Sequence, residues 1–246
     1  MSGDTSRAGL FVVLEGADGS GKSAIAAELA RLLEAEGRKV APVLRDDPPA
    51  ADSRAGLVRA VGRLFDEAKA DGTRISTLSL AAAAQYSALL DSQVEPALDK
   101  GVIMIAESWW AKTWARLAIE AVRRGEISGV AAATRFQEWQ RTLLPGREAI
   151  APRHLTILVE APQADRQAWY EQAGCPSPVY DLSGRTSYAP EVYGRFTQEL
   201  AETLHGQAAR AGWMIVGNDA SRSPARGAVE IGEAVRKRLC VLKGGR

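Results

Sequence analysis

Cysteine and histidine are almost missing from this chain, with two of each among 246 residues: Cys175, Cys240, His154 and His205. Two cysteines so far apart make no disulfide framework, and no Cys/His spacing suits a zinc site. Net charge is nearly absent too, at +1. That excludes the broad basic field of nucleic-acid binders and leaves only local anion binding. No apolar run approaches the ~18 residues of a membrane span, and the opening residues MSGDTSRAG are polar, without the apolar centre of a signal segment. The expectation is a reduced, cytoplasmic protein without nucleic-acid or membrane partners.

Apolar residues are plentiful, at 46% of the chain against 25% charged, enough for one full core. They fall into short continuous runs separated by longer stretches of helical period. Leu10–Glu15, Val40–Arg45, Val102–Glu107, Leu155–Glu160 and Trp213–Gly217 read as strands buried on both faces, as in a parallel sheet. A helix stripe of Ile25, Leu29, Leu32 and Leu33 closes at Gly37, and a long helical pattern runs from about Ser76 to Lys100. Phe136, Trp139 and Leu143 mark another helix, Pro190 opens one, and Ser223-Pro224 opens the last. The alternation predicts an α/β three-layer sandwich around a roughly five-stranded parallel sheet. Residues 9–241 form its single domain, between tails 1–8 and 242–246. Only 174–189 (GCPSPVYDLSGRTSYA from Gly174) fits neither period, and it reads as a surface connection or as a lid over the site.

The most specific signal is LEGADGSGKS, in which Gly16, Gly21, Lys22 and Ser23 satisfy G-x-x-x-x-G-K-[ST] between a strand and a helix. Glycines let the backbone fold around an oxyanion, and amides at the helix start point at it. The loop from Gly16 through Asp18, Gly19, Ser20, Gly21, Lys22 and Ser23 to Ala24 is therefore the expected donor-phosphate site. Lys22 reaches the β- and γ-phosphates and the Ser23 hydroxyl serves Mg²⁺. A dinucleotide fingerprint is excluded, since G-x-G-x-x-G does not occur in this turn. A phosphate cradle specifies a nucleoside triphosphate and leaves the reaction open.

FVVLEGADGSGKS resembles the strand and loop of the thymidylate kinase family, and the resemblance continues more weakly through VEPALDKGVIMIAES, APRHLTILVEAP and VGNDASRSP. It implies a P-loop kinase fold, ATP and Mg²⁺ as cofactors, a small nucleotide acceptor and a homodimer. Residue by residue, Asp18 matches the loop acid that meets the acceptor sugar, and Arg45 matches the arginine that grips its phosphate. Glu107 stands at the family's metal-side acid. No arginine lies in the loop itself, and in such members the lid supplies it, which makes Arg185 the candidate. The family's arginine after that acid is Ser108 here, Trp109 replaces its tyrosine, and the Asp-Arg pair that reads the base aligns with Gln85 and Tyr86. A bidentate arginine contact has no equivalent in serine or tyrosine, so dTMP is not the expected acceptor.

With a helix beginning near Ser108, Trp110, Trp114, Leu117 and Ala121 share a core face. Trp109, Lys112, Thr113 and Arg116 share the next. Tyr86, Trp109, Lys112 and Arg116, with Asp18 and Arg45, are the candidate acceptor residues; the alternatives for these side chains are core packing or a solvated face. Asp46 and Asp47 leave a hydroxyl acceptor open, since a hydroxyl needs a base and a monophosphate does not. A nucleotide-binding regulatory module without transfer activity is the remaining alternative.

Overall fold

Strand β1 (Leu10–Glu15) is buried over its whole length, and its side chains divide between two cores. Phe11 and Val13 enter one, and Leu10, Val12 and Leu14 enter the other, which is why the run is apolar without alternation. The computed structural model describes residues 8–44, 55–143, 151–172 and 190–244. Arg45, Asp46, Asp47, Arg185, Cys175, the segment 174–189 and the tail residues 1–7, 245 and 246 lie outside the described residues.

From β1 the chain enters α1 (Lys22–Ala35), β2 (Val40–Pro42), α2 (Ala55–Ala70), α3 (Ile75–Leu89), a π-turn (Leu90–Val94), α4 (Glu95–Asp99) and β3 (Ile103–Glu107). It continues through α5 (Trp110–Arg123), α6 (Val130–Thr142), β4 (His154–Glu160), α7 (Gln163–Gln172), α8 (Pro190–Ala211), β5 (Met214–Gly217) and α9 (Pro224–Gly244). The strands form one sheet in the order β2-β3-β1-β4-β5, with every pair parallel. Helices α1 and α9 cover one face, burying Ile25, Leu29, Ile231 and Val235. On the other face α3, α5 and α8 bury Leu78, Trp114, Leu117, Phe196 and Leu200. The expected five-stranded parallel α/β sandwich is thus the architecture.

Three local expectations change. The helix expected from Ser76 to Lys100 is interrupted by the π-turn just before Pro96, because proline lacks an N–H and its ring crowds the carbonyl of Ser92 four residues back. Strand β2 stops at Pro42 rather than Arg45. Val43 N still donates to Ile105 O (2.9 Å), but at Leu44 the sheet partner is the Gln93 amide, which accepts from Leu44 N (3.0 Å) and donates to Leu44 O (2.7 Å). At the carboxyl end, Leu242–Gly244 belong to α9 and not to a tail.

The alanine-rich part of α3 is used inside the chain. Ala81, Ala82, Ala83 and Tyr86 are buried, and Ser79 Oγ accepts from Gln140 Nε2 of α6 (3.0 Å). Among the described residues no helix is long and apolar enough to cross a membrane.

Candidate active site

The glycine-rich loop leaves the carboxyl end of central β1, where open α/β sheets hold ligands. Its shape depends on glycine at two close approaches. Gly19 has φ +75° and a Cβ there would lie 2.5 Å from Arg166 O; Gly21 has φ +82° and a Cβ would lie 2.2 Å from Asn218 Nδ2. Both conformations are left-handed and disfavoured for residues with a Cβ. The Asn218 amide donates to Ser20 O (2.9 Å), and Asn218 N donates to Glu160 O (2.6 Å). The turn after β5 thereby holds the loop's backbone in place.

Lys22 begins α1, is buried, and donates from Nζ to Ala17 O (2.8 Å) and Ser20 Oγ (3.3 Å), across the loop. Burial first, and then the Lys112 ammonium, push its pKa down to about 7 against the pull of Asp18, Glu15 and Glu107. Ser23 Oγ donates to Glu107 Oε2, bringing the start of α1 to the end of β3. Asp18 forms an ion pair with Lys112 of α5. Burial favours its protonated form, but Lys112 and Lys22 outweigh that and hold the carboxyl well below the usual range.

Of the expected donor-side residues, Gly16, Asp18, Gly19, Ser20, Gly21, Lys22, Ser23 and Ala24 form one loop and first helical turn, with Glu107 against Ser23. A hydroxyl and a carboxylate meeting beside a lysine are the hard oxygen donors that suit Mg²⁺, so the residues fit the expected ion. A groove of about 660 Å³ begins at Ser23, Glu107 and Ser108 and runs between α1 and β2 as far as Glu34. A second cleft, about 500 Å³, lies beside the loop at Ser20 and Asn218, bordered by Glu160 and His205. There His205 Nδ1 lies 2.7 Å from Glu160 Oε1. The other histidine, His154, stacks on Phe11 with ring centroids 5.1 Å apart.

The acceptor side differs from expectation. Helix α5 begins at Trp110, and Trp110, Trp114, Leu117 and Ala121 are core, as predicted. Trp109, expected to offer its ring to an acceptor, is 1% exposed and packs between Phe11 (5.2 Å, edge-on) and Tyr86 (4.7 Å). Tyr86 is 2% exposed, and its hydroxyl is 3.2 Å from Trp109 O and 2.5 Å from Thr113 Oγ1. Both are core groups here. The cause lies at Ser108, whose φ of +63° turns the chain so that Glu107 stays exposed on the α1 side while Trp109 enters the core. Lys112 remains at the site through Asp18. Arg116 acts electrostatically on Asp18 while its guanidinium stands 5.5 Å over the Phe196 ring.

Glu15 and Asn218 were not among the expected site residues, yet Asn218 holds the loop at Ser20 O and the Glu15 carboxylate lies buried at the loop's start. A carboxylate ending an otherwise apolar strand was the available signal for Glu15. For Asn218 there was no local one, since its partner Ser20 is 198 residues away.

No family model matches the chain. It is 36% identical over 115 residues to a probable thymidylate kinase of Pyrococcus horikoshii, covering 44% of this chain and 53% of that protein. Against a probable thymidylate kinase of Thermococcus gammatolerans it is 36% identical over 119 residues, 44% of this chain and 54% of the other. The thymidylate kinase of Gluconobacter oxydans is 28% identical over 189 residues, 76% of this chain and 79% of that one. The chain spans about half the length of the first two relatives and about four-fifths of the third. By these similarities, and by a five-stranded parallel sheet whose central strand leads into a glycine-rich loop, the chain is similar to thymidylate kinases.

Proposed function

We propose that this chain is an ATP- and Mg²⁺-dependent phosphotransferase that moves the γ-phosphoryl group of ATP to a nucleoside monophosphate or nucleotide-like acceptor other than dTMP. The observation that carries the reading is the convergence of Lys22, Ser23 and Glu107 at the mouth of the loop. The loop amides and Lys22 hold and orient the donor phosphates. Ser23 and Glu107 would hold Mg²⁺, which when bound supplies charge neutralisation between the β- and γ-phosphates. In the transfer, an acceptor oxygen forms a new P–O bond as the bond to the ADP oxygen breaks. A monophosphate oxygen is already anionic, so the site needs position and positive charge but no base.

Arg45, with Lys112 or Arg116, is proposed to hold the acceptor anion, and Arg185 to neutralise charge as the phosphoryl group moves. The exclusion of dTMP rests on the side chains at the base-reading positions. Gln85 and Tyr86 replace the family's acid and arginine, Ser108 and Trp109 follow the metal-side acid, and the Tyr86 and Trp109 rings are closed in the core. A homodimer and a cytoplasmic location belong to the same proposal; a monomer by light scattering at micromolar concentration would remove the first.

The test is transfer of label from γ-labelled ATP to a panel of nucleosides and nucleoside monophosphates, with Lys22→Ala as control. Labelled product from a monophosphate other than dTMP is the expected result. Binding of ATP with no transfer to any acceptor would make the chain a nucleotide-binding module. A drop of ~10²-fold in Asp46→Asn or Asp47→Asn would instead identify a hydroxyl acceptor with a carboxylate base.

A further inference from the structure

Glu15 ends β1 directly before Gly16, the first glycine of the loop, and no role has so far been given to it. Its side chain is buried, 1% exposed, and an unpaired carboxylate in such a place is strongly disfavoured. It is satisfied by backbone. Oε1 accepts the N–H groups of Trp109 (3.1 Å) and Ala111 (3.1 Å), and Oε2 accepts that of Lys112 (3.3 Å). These are the donors that the first turn of α5 leaves without partners inside the helix. Ordinarily a side chain just before the helix would take them, but the capping position is Trp109, which supplies no such bond. A strand from the other end of the site supplies it, at the positive end of the helix dipole.

The contact is returned. Lys112, whose own N–H is one of the three, sends its ammonium to Asp18, three residues after Glu15. One residue of α5 is therefore held by two carboxylates of the strand and loop, through its backbone by Glu15 and through its side chain by Asp18. The ammonium of Lys22 acts electrostatically on both Glu15 and Asp18. Rotation of α5 by part of a turn would carry Lys112 off the loop, and Glu15 prevents that rotation.

We infer that Glu15 is a positioning residue: by capping α5 it fixes Lys112 on Asp18 and so places a second cation next to Lys22 at the phosphate loop. The inference rests on the proposed function in taking the loop as the seat of a phosphate chain. Glutamine is the informative replacement. Its oxygen can keep two of the N–H groups, but its NH₂ then faces the N–H of Lys112, donor against donor.

The decisive experiment is a mutant cycle. Asp18→Asn and Lys112→Met are combined in the natural chain and again in Glu15→Gln, and unfolding midpoints are compared. In the natural chain the pair is expected to be non-additive by roughly 2–4 °C, and in Glu15→Gln the non-additivity disappears. Unchanged coupling would overturn the inference, because a cap that only stabilises α5 acts equally with or without the ion pair. The second arm is calorimetric binding of inorganic pyrophosphate. Glu15→Gln should weaken it about 10-fold in the natural chain and less than about 2-fold in Lys112→Met; equal weakening in both also overturns it.

If pyrophosphate fails to bind the natural chain, the phosphate-site reading falls while the thermal cycle still judges Glu15. Should Glu15→Gln not fold, Glu15→Asp replaces it. Amide exchange in the natural protein then adds a direct check, with Trp109 and Ala111 N–H slowed by ~10²-fold or more. Exchange at the rate of open amides would remove the cap and the inference with it.

Discussion

Around Lys22 the contacts are made largely by the loop itself: the Ala17 carbonyl and the Ser20 hydroxyl accept from Lys22 Nζ, glycines stand at positive φ, and an asparagine amide from the turn after β5 holds Ser20 O. Around Trp109, on the other side of Glu107, they are made by rings, with Phe11, Tyr86 and Trp114 edge-on or tilted against one another. The first arrangement gathers backbone amides and an ammonium at one point, the combination that suits an anion. In the second, the Tyr86 hydroxyl is taken up internally, by Trp109 O and Thr113 Oγ1. A loop shaped by its backbone suits an anion, whereas the Trp109 and Tyr86 rings, closed in the core, offer an acceptor no face.

That contrast can be broken at several points. Trp109→Ala should cost roughly 3–5 kcal/mol of unfolding free energy, the range for a buried aromatic. A loss under about 1 kcal/mol by urea unfolding would mean the ring is not core. Lys22→Ala should leave the fold intact and lower turnover by about 10³-fold or more, near 4 kcal/mol of transition-state stabilisation; retained turnover would end the mechanism.

A smaller effect is proton-linked. Lys22 lies near 7 in the folded chain against 10.5 when unperturbed, so the unfolded state holds a proton that the folded state releases. The Lys22 contribution to stability therefore rises as pH goes from about 7 towards 10.5. A triphosphate favours the ammonium, so ATP binding at pH 8.5 should take up between about half and one proton. Calorimetry in buffers of different ionisation enthalpy measures it, with Lys22→Met as the control that takes up none. Smallest, Tyr86→Phe removes one hydroxyl with two close partners and should cost about 1 kcal/mol. If it also changed acceptor preference, the ring wall would face substrate after all.

The loop was legible in the sequence because its requirements are local: glycines, a lysine and a hydroxyl at fixed spacing between a strand and a helix. The five strands were legible because each is a short, mostly apolar run, with the central β1 and β3 buried on both faces. What could not be read were consequences of distant partners. The Glu15 carboxylate finds Trp109 N 94 residues on, and Gln93 takes over the pairing of Leu44 across 49. Continuing the helical period back through Trp109 places it on the open face. The left-handed turn at Ser108 breaks that phase, and a serine gives no sign of it.

The central place of β1 has a consequence for how the chain is made. Its neighbours in the sheet are strands that begin pairing at Ile103 and His154, both synthesised long after LFVVL has left the ribosome. At 5–20 residues per second the wait is roughly 5–30 s. Until Ile103 is made, one of the most β-prone and least charged segments of the protein has neither edge covered, and until His154 is made one edge stays open. The glycine-rich loop, which leaves the end of this strand, cannot be held in its final shape until those later strands and the turn carrying Asn218 have been made.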